Sequence, residues 1–291
     1  MHINEEFFSR SGERTVTDSS IPHPNGLSGS DGVGAPSTQV LLVRKDGPIL
    51  RVTLNRPESR NPLSGDLVAG LHRTFTHYAA DPDLKVVIVT GAGNKAFAAG
   101  GDLKELMAVR TSAQAAEMSN MTRAAFQTIR DFPVPVIAAM NGDALGGGAE
   151  FAVACDIRVA AHHCRMGFIQ GRLNISTAWG GAHDLNQLVG PATALRLLAR
   201  GEVIDMQTGL RLGLIDDVAQ EGESLDDVVA RYCAPIIEKV PRVVRTFKAI
   251  TRDAKNANRA QTDQLETELF TANWVHDDHW EAADKVLSKK G

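Results

Sequence analysis

The sequence predicts an α/β fold with a mainly parallel sheet, followed by a helical region. Strand-like apolar segments alternate with helix-like segments from Thr38 to about Val218, a pattern typical of parallel strands joined by crossover helices. The rest of the chain carries helical spacing only. A chain of 291 residues is long enough to bury one sizeable core.

The first elements are predicted from turn, cap and spacing signals. Two strands flank the Asp46-Gly47 turn in VLLVRKDGPILRVTLN. Ser64 precedes apolar residues at helical spacing, at Leu67, Leu71 and Phe75, and therefore predicts a helix N-cap. KVVIVTGAG then predicts a buried strand, and GGDLKELMAV predicts the start of another helix.

The later elements follow the same alternation. VPVIAAMNG predicts a strand, a helix is expected from Gly148, and DIRVAA predicts the next strand. GPATALRLLARG predicts a helix bounded by Gly190 and Gly201, and DMQTGLRLGLIDDV predicts a short helix leading into a strand. Three further helices are expected in DDVVARYCAPIIEKV, RVVRTFKAITRDA and TDQLETELFTANWV.

Three parts of the chain are predicted: a disordered tail over residues 1–37, a core with the site over 38–205, and a helical region over 206–291. The tail is rich in Gly, Ser and Pro and has no apolar periodicity. It has no apolar segment typical of a secretory signal, and its acidic residues argue against a mitochondrial transit peptide.

Composition narrows the function class. The formal net charge of -4 offers no basic surface for nucleic acid, and the apolar runs are too short to span a membrane. The three cysteines form no CxxC pair, so neither disulfides nor a zinc site is expected. The sequence therefore predicts a cytoplasmic protein that does not bind nucleic acid or membranes and has no metal.

Two glycine-rich segments each join a predicted strand to a predicted helix. One carries Gly100 and Gly101 in KAFAAGGDLKEL, and the other carries residues 146–148 in NGDALGGGAEF. Neither segment is a dinucleotide or phosphate-loop fingerprint. If the two lie together, they can point two backbone N–H groups at one oxygen and form an oxyanion hole. Either segment alone is more typical of a tight turn with close helix packing than of an oxyanion hole.

Four motifs together resemble the enoyl-CoA hydratase/isomerase (crotonase) family. They are LNRPESRNPLS, VTGAGNKAFAAGGDLKEL, PVIAAMNGDALGGGAEFAVACDIRVA and GLRLGLIDDV, in family order, and the similarity runs from about Val40 to the C-terminus. The resemblance implies a spiral core of ββα units and a C-terminal helical region that builds trimers, often stacked as hexamers. It also implies an acyl-CoA thioester as ligand. Coenzyme A is then part of the substrate, and no cofactor is needed.

The resemblance assigns roles to individual residues. The N–H groups of Gly101 and Gly147 are the expected oxyanion donors, and Glu150 matches the first of two catalytic glutamates in the family's hydratases. The residues expected along the substrate and coenzyme A are Lys95, Ala96, Ala98, Gly100, Asp102 and Trp179.

The second glutamate of the hydratases falls, by ungapped count, at Gln170. A glutamine does not accept a proton at neutral pH, and loss of a general acid or base commonly lowers rates by ~10²–10⁴. No other carboxylate lies between Asp156 and Asp184. The site is therefore predicted to keep the oxyanion hole but not the glutamate pair.

Two side chains near Gln170 have open interpretations. Arg172 could contact a substrate carboxylate or form a surface salt bridge. Trp179 could narrow the substrate pocket or serve as an ordinary core aromatic. His162 and His163 are expected to be surface residues.

Three functions remain open from the sequence. The slightly favoured one is decarboxylation of a malonyl-type acyl-CoA, because CO₂ loss forms the enolate directly and needs no glutamate pair. The alternatives are an enoyl-CoA hydratase or isomerase of fatty-acid degradation that uses Glu150, and a catalytically silent protein that binds CoA esters. The apolar C-terminal helices, such as Leu269–Val275, predict a homotrimer or a dimer of trimers.

Overall fold

The computed structural model describes residues 38–288, and the tail predicted over residues 1–37 lies outside the described residues. The strands are β1 (Leu41–Asp46), β2 (Ile49–Leu54), β3 (Val86–Gly91), β4 (Ala96–Ala98), β5 (Val136–Met140), β6 (Asp143–Leu145), β7 (Ile157–Ala160), β8 (Arg165–Gly167), β9 (Val203–Asp205) and β10 (Asp217–Val218). The helices are α1 (Gly65–Tyr78), α2 (Leu103–Leu106), α3 (Ser112–Arg130), α4 (Gly147–Ala154), α5 (Gly181–Arg200), α6 (Met206–Arg211), α7 (Leu225–Ile237), α8 (Pro241–Lys255), α9 (Arg259–Trp274) and α10 (Asp277–Ser288).

The larger sheet has six strands in the order β1-β2-β3-β5-β7-β10. Only the β1–β2 hairpin is antiparallel, and the other neighbours are parallel. Gly47 has a φ of +54° in the hairpin turn, a conformation that glycine adopts without strain. The predicted α/β fold with a mainly parallel sheet is confirmed.

A second sheet of four short strands has the order β4-β6-β8-β9. Its β4–β6 and β6–β8 pairs are parallel, and β8–β9 is antiparallel. The sequence analysis did not predict β6, β8 or β9, because each has only three residues and alternation needs a longer run to be visible. This sheet matters for function because both glycine-rich loops leave it.

Local signals set most helix boundaries. The Ser64 side chain accepts a hydrogen bond from the N–H of Leu67, and α1 buries Leu67, Leu71 and Phe75 as predicted. Helix α4 begins at Gly147, one residue before the predicted start.

Helix α5 differs from its prediction because it begins at Gly181 and runs through Gly190. The backbone is not helical at Gly190, where φ is +74°, and Pro191 follows directly. Gly190 therefore lies at a kink inside α5 and not at the predicted helix start.

The C-terminal helices pack onto the core. Helix α9 packs against α3, and α10 packs against the 3-10 turn Gln170–Leu173. Helices are present here as predicted, and β10 joins the larger sheet beyond residue 205. Across residues 38–288, no helix combines the length and the apolar character needed to cross a membrane.

Candidate active site

The two glycine-rich loops meet at one end of the second sheet. Strands β4 and β6 are parallel neighbours, so the loops that follow them leave the sheet at the same edge. A Cβ atom placed on Gly100 would lie 3.5 Å from the backbone nitrogen of Gly147. The structure therefore brings together the two segments that the sequence analysis singled out.

Each glycine of the second loop is required for a different structural reason. Gly146 has a φ of +56°, which turns the chain from β6 into α4. A Cβ on Gly148 would lie 1.9 Å from the carbonyl oxygen of Ala98, and one on Gly147 would lie 2.0 Å from Cζ3 of Trp179. Side chains at these positions would push α4 away from β4 and from the tryptophan ring.

The two predicted donor groups are free within the described residues. Gly147 is the first residue of α4, so its N–H has no acceptor inside the helix. Leu63 bonds the backbone on both sides of Gly101, because its N–H donates to the Gly100 carbonyl and its carbonyl accepts from Asp102. Within residues 38–288, the N–H groups of Gly101 and Gly147 have no hydrogen-bond acceptor.

The indole of Trp179 lies against both glycines. Its Cη2 atom would lie 3.3 Å from a Cβ on Gly101, and the residue is 6% exposed. The ring also meets Phe126 edge-on, with 5.8 Å between centroids. Trp179 is therefore a core aromatic whose ring also borders the predicted oxyanion site, and its narrowing of a substrate pocket stays a prediction.

Glu150 directs its carboxylate toward four N–H donors. Oε2 accepts from the backbone of Trp179 at 2.8 Å and of Gly181 at 3.0 Å. Oε1 accepts from Nε2 of Gln170 at 2.9 Å and from the backbone of Ala178 at 3.4 Å. A carboxylate has about four acceptor positions, so protein groups already occupy those of Glu150.

Burial dominates the electrostatics of Glu150. Desolvation, followed by the negative charge of Glu266, raises the pKa of Glu150 to about 8. The N–H groups of Trp179, Gly181 and Gln170 favour the ionised form and oppose this rise.

Gln170 occupies the position next to Glu150 that the ungapped count predicted. It begins the 3-10 turn Gln170–Leu173 and is 9% exposed. Its amide nitrogen donates to Glu150, and its amide oxygen is buried without a partner among the described residues. An amide–carboxylate contact therefore stands where the hydratases of the family are expected to have two glutamates.

The family model for enoyl-CoA hydratase/isomerase matches residues 44–290 of the chain. This match agrees with the geometry of the site. The chain belongs to this family. It is 31% identical to a crotonyl-CoA hydratase of Syntrophomonas wolfei, over 86% of this chain and 95% of that protein. It is 33% identical to a carnitinyl-CoA dehydratase of Salmonella arizonae, over 75% and 82%. An enoyl-CoA hydratase structure from Bacillus anthracis is 31% identical, with a TM-score of 0.70 and coverage of 86% and 97%.

Within this family fold, the remaining predicted ligand-binding residues line the first glycine loop. Ala96 and Ala98 are buried in β4, whereas Lys95 is exposed. Asp102 is buried, accepts from Nη1 of Arg56 at 2.7 Å and caps α2 through the N–H of Lys104. Asp102 therefore has a clear structural task beside Gly101, and its contact with a ligand stays a prediction.

The other side chains near Gln170 that the sequence raised lie at the surface. His162 and His163 are exposed, as predicted. Arg172 is also exposed, and its Nη2 donates to the carbonyl of Gly201 at 2.9 Å. Arg172 therefore holds a neighbouring loop and forms no salt bridge within residues 38–288, and its contact with a substrate carboxylate stays a prediction.

The sequence did not predict the buried charged residues that bind the backbone at Trp179 and Gly180. Arg130 is buried in α3, donates to the Trp179 carbonyl at 2.9 Å and pairs with Asp184 at 2.8 Å. Glu266 of α9 binds the same segment of chain. No local motif marks these residues, because their partners are far away in the sequence.

Proposed function

We propose that this enzyme decarboxylates a malonyl-type acyl-CoA. The bond between the α-carbon and the carboxylate breaks, CO₂ leaves, and the electron pair forms the thioester enolate. The N–H groups of Gly101 and Gly147 stabilise the enolate oxygen. The α-carbon then takes up a proton from solvent, which gives the shortened acyl-CoA.

The environment of Glu150 is the observation that carries the proposal. Hydration needs an acid and a base that share a water molecule, but the acceptor positions of Glu150 are occupied by N–H donors. Its neighbour Gln170 presents an amide. Decarboxylation needs only the stabilised enolate, so it makes no demand on either side chain as a base.

The position of Trp179 supports the same reaction. Its ring edge lies beside both Gly101 and Gly147, so an acyl group held there has an aromatic surface next to it. A carboxylate placed against this surface loses hydration, whereas the CO₂ that leaves is neutral.

Hydration or isomerisation through Glu150 is the second candidate. It is favoured by the names of the relatives, which include a crotonyl-CoA hydratase and a carnitinyl-CoA dehydratase. It requires Glu150 to release at least one of its N–H donors when substrate binds. The two candidate functions therefore differ in whether Glu150 acts as a general base.

The wild-type enzyme tests the proposal with two substrate types. We expect CO₂ release from methylmalonyl-CoA or ethylmalonyl-CoA, with a kcat/KM that exceeds the value for crotonyl-CoA hydration by ~10²-fold or more, in line with the loss of one acid or base. Chromatography of the CoA products separates the two reactions. Efficient hydration without CO₂ release would favour the second candidate, and binding of these esters without turnover would indicate a silent protein.

We also propose that the C-terminal helices form a subunit interface. Phe247 and Ile250 on α8 are 63% and 65% exposed, and Leu265 and Leu269 are exposed on α9. Phe270 and Trp274, within the apolar stretch noted in the sequence, are buried inside the chain itself. Exposed apolar side chains on α8 and on α9 are therefore available for assembly.

Light scattering tests the assembly. We expect three or six times the chain mass of 31.3 kDa, because large exposed apolar side chains favour association. Replacing both Phe247 and Ile250 with Lys should shift the particle toward the monomer. A wild-type particle of single-chain mass at micromolar concentration would contradict the proposed interface.

A further inference from the structure

The segment that carries Trp179 is held between two buried carboxylates. In residues 177–182, hereafter the Trp179 segment, the backbone N–H groups of Ala178, Trp179 and Gly181 point to Glu150. The N–H groups of Gly180 and Ala182 point to Glu266. The two carboxylates therefore bind different N–H groups of one short segment, and from Trp179 to Ala182 these groups alternate between Glu150 and Glu266.

The carboxylate of Glu266 accepts several hydrogen bonds from the Trp179 segment. Its Oε2 accepts from the backbone of Gly180 at 2.8 Å, and its Oε1 accepts from the hydroxyl of Thr177. Its third link to the segment is the N–H of Ala182, which donates to Oε1 at 3.4 Å. The residue is 7% exposed, so these donors replace most of the water that its carboxylate would otherwise bind.

Arg123 connects Glu266 to a backbone carbonyl of the Trp179 segment. Its Nη2 lies 3.4 Å from Glu266 Oε2 and donates to the carbonyl of Ala178 at 2.7 Å. Its Nη1 donates to the hydroxyl of Thr267 on α9 at 2.7 Å. The Trp179 segment is therefore linked to α9 in two ways. Its N–H groups bind Glu266 directly, and its Ala178 carbonyl binds Arg123, which also binds Thr267.

We infer that Glu266 is a positioning residue for the active site, which it serves by fixing the ring of Trp179 over Gly101 and Gly147. It binds Gly180, the residue directly after Trp179, and therefore limits how far that residue can move. The consequence for catalysis rests on the proposed function, whereas the consequence for the ring does not.

Exchange of Glu266 for Gln is a suitable perturbation. The amide keeps the size of the side chain, but its NH₂ group would face backbone N–H donors that need acceptors. Glu268→Gln is the matched control, since Glu268 is exposed on the same helix and its side chain hydrogen-bonds only Gln264 among the described residues.

The experiment combines a structural and a kinetic measurement on the full chain. The protein is labelled with 5-fluorotryptophan, and Trp179→Phe assigns the Trp179 signal in the fluorine NMR spectrum. We expect Glu266→Gln to shift or broaden that signal and to lower kcat for decarboxylation ~10-fold or more with little change in KM, because small misplacements of active-site groups cost that much. Glu268→Gln should change neither, and Glu266→Asp should recover part of the kcat.

The two readouts separate the possible failures. A Trp179 signal in folded Glu266→Gln that matches the control overturns the inference. If the signal moves but the wild type shows no decarboxylation, the proposed function fails and the positioning of the ring stands. If Glu266→Gln does not fold, Thr177→Val removes one link to Glu266 at nearly constant shape, and an unmoved Trp179 signal in that variant overturns the inference.

Discussion

Gly147→Pro, made in a Trp179→Ala background, should lower kcat for decarboxylation by ~10²–10³ relative to Gly147→Ala in the same background. That factor is typical for the loss of one oxyanion donor. Both replacements add a Cβ at this position, but only proline removes the N–H. The comparison therefore controls for the added Cβ and attributes the further loss to replacement of the N–H by the proline ring.

The background substitution is needed because a Cβ on Gly147 would lie 2.0 Å from the Trp179 ring. Proline is otherwise well tolerated at the first position of a helix, which is where Gly147 lies in α4. Circular dichroism and thermal unfolding check that both variants fold. Equal kcat values in the two folded variants would show that the N–H of Gly147 takes no part in the reaction.

Gln170→Glu should raise crotonyl-CoA hydration ~10-fold and lower decarboxylation. It replaces the amide donor of Glu150 with a second carboxylate, and two adjacent carboxylates divide into one protonated and one ionised group. Such a pair can act as acid and base toward one water molecule, which is worth ~10²–10⁴ in rate when the geometry is right. We expect a rise of only ~10-fold, below that range, because the new pair lacks side chains that position it.

Gln170→Leu is the matched control, since it also breaks the amide contact but adds no carboxylate. Hydration should stay at the wild-type rate in this control. An equal rise in both variants would mean that freeing Glu150 is enough for hydration. That result would favour the hydratase interpretation.

The arrangement of the candidate site was easier to predict from the sequence than the residues that support it. The two glycine-rich loops were identified from composition and order, and the structure brings Gly101 and Gly147 together because β4 and β6 are neighbours. The proximity of Gln170 to Glu150 also followed from counting along the chain. These features are local in sequence or tied to strongly patterned motifs.

What could not be predicted depends on contacts between distant residues. The strands β6, β8 and β9 are too short to show a period, and their pairing is fixed only in the folded chain. Glu266 looks like any polar residue of a C-terminal helix, yet it binds Gly180. The role of Trp179 was undecided for the same reason, since its contacts with the two glycines come from separate elements.

Deuterium uptake by butyryl-CoA in D₂O tests the central claim most directly, which is that this site stabilises an enolate without a working base. The wild-type enzyme is incubated with butyryl-CoA, and mass spectrometry follows exchange at the α-carbon, while ethylmalonyl-CoA is decarboxylated in a parallel sample. A base within reach would remove an α-proton and let deuterium enter. We predict rapid CO₂ release in the parallel sample and no uptake into butyryl-CoA beyond the enzyme-free rate. Uptake as fast as decarboxylation would contradict the account.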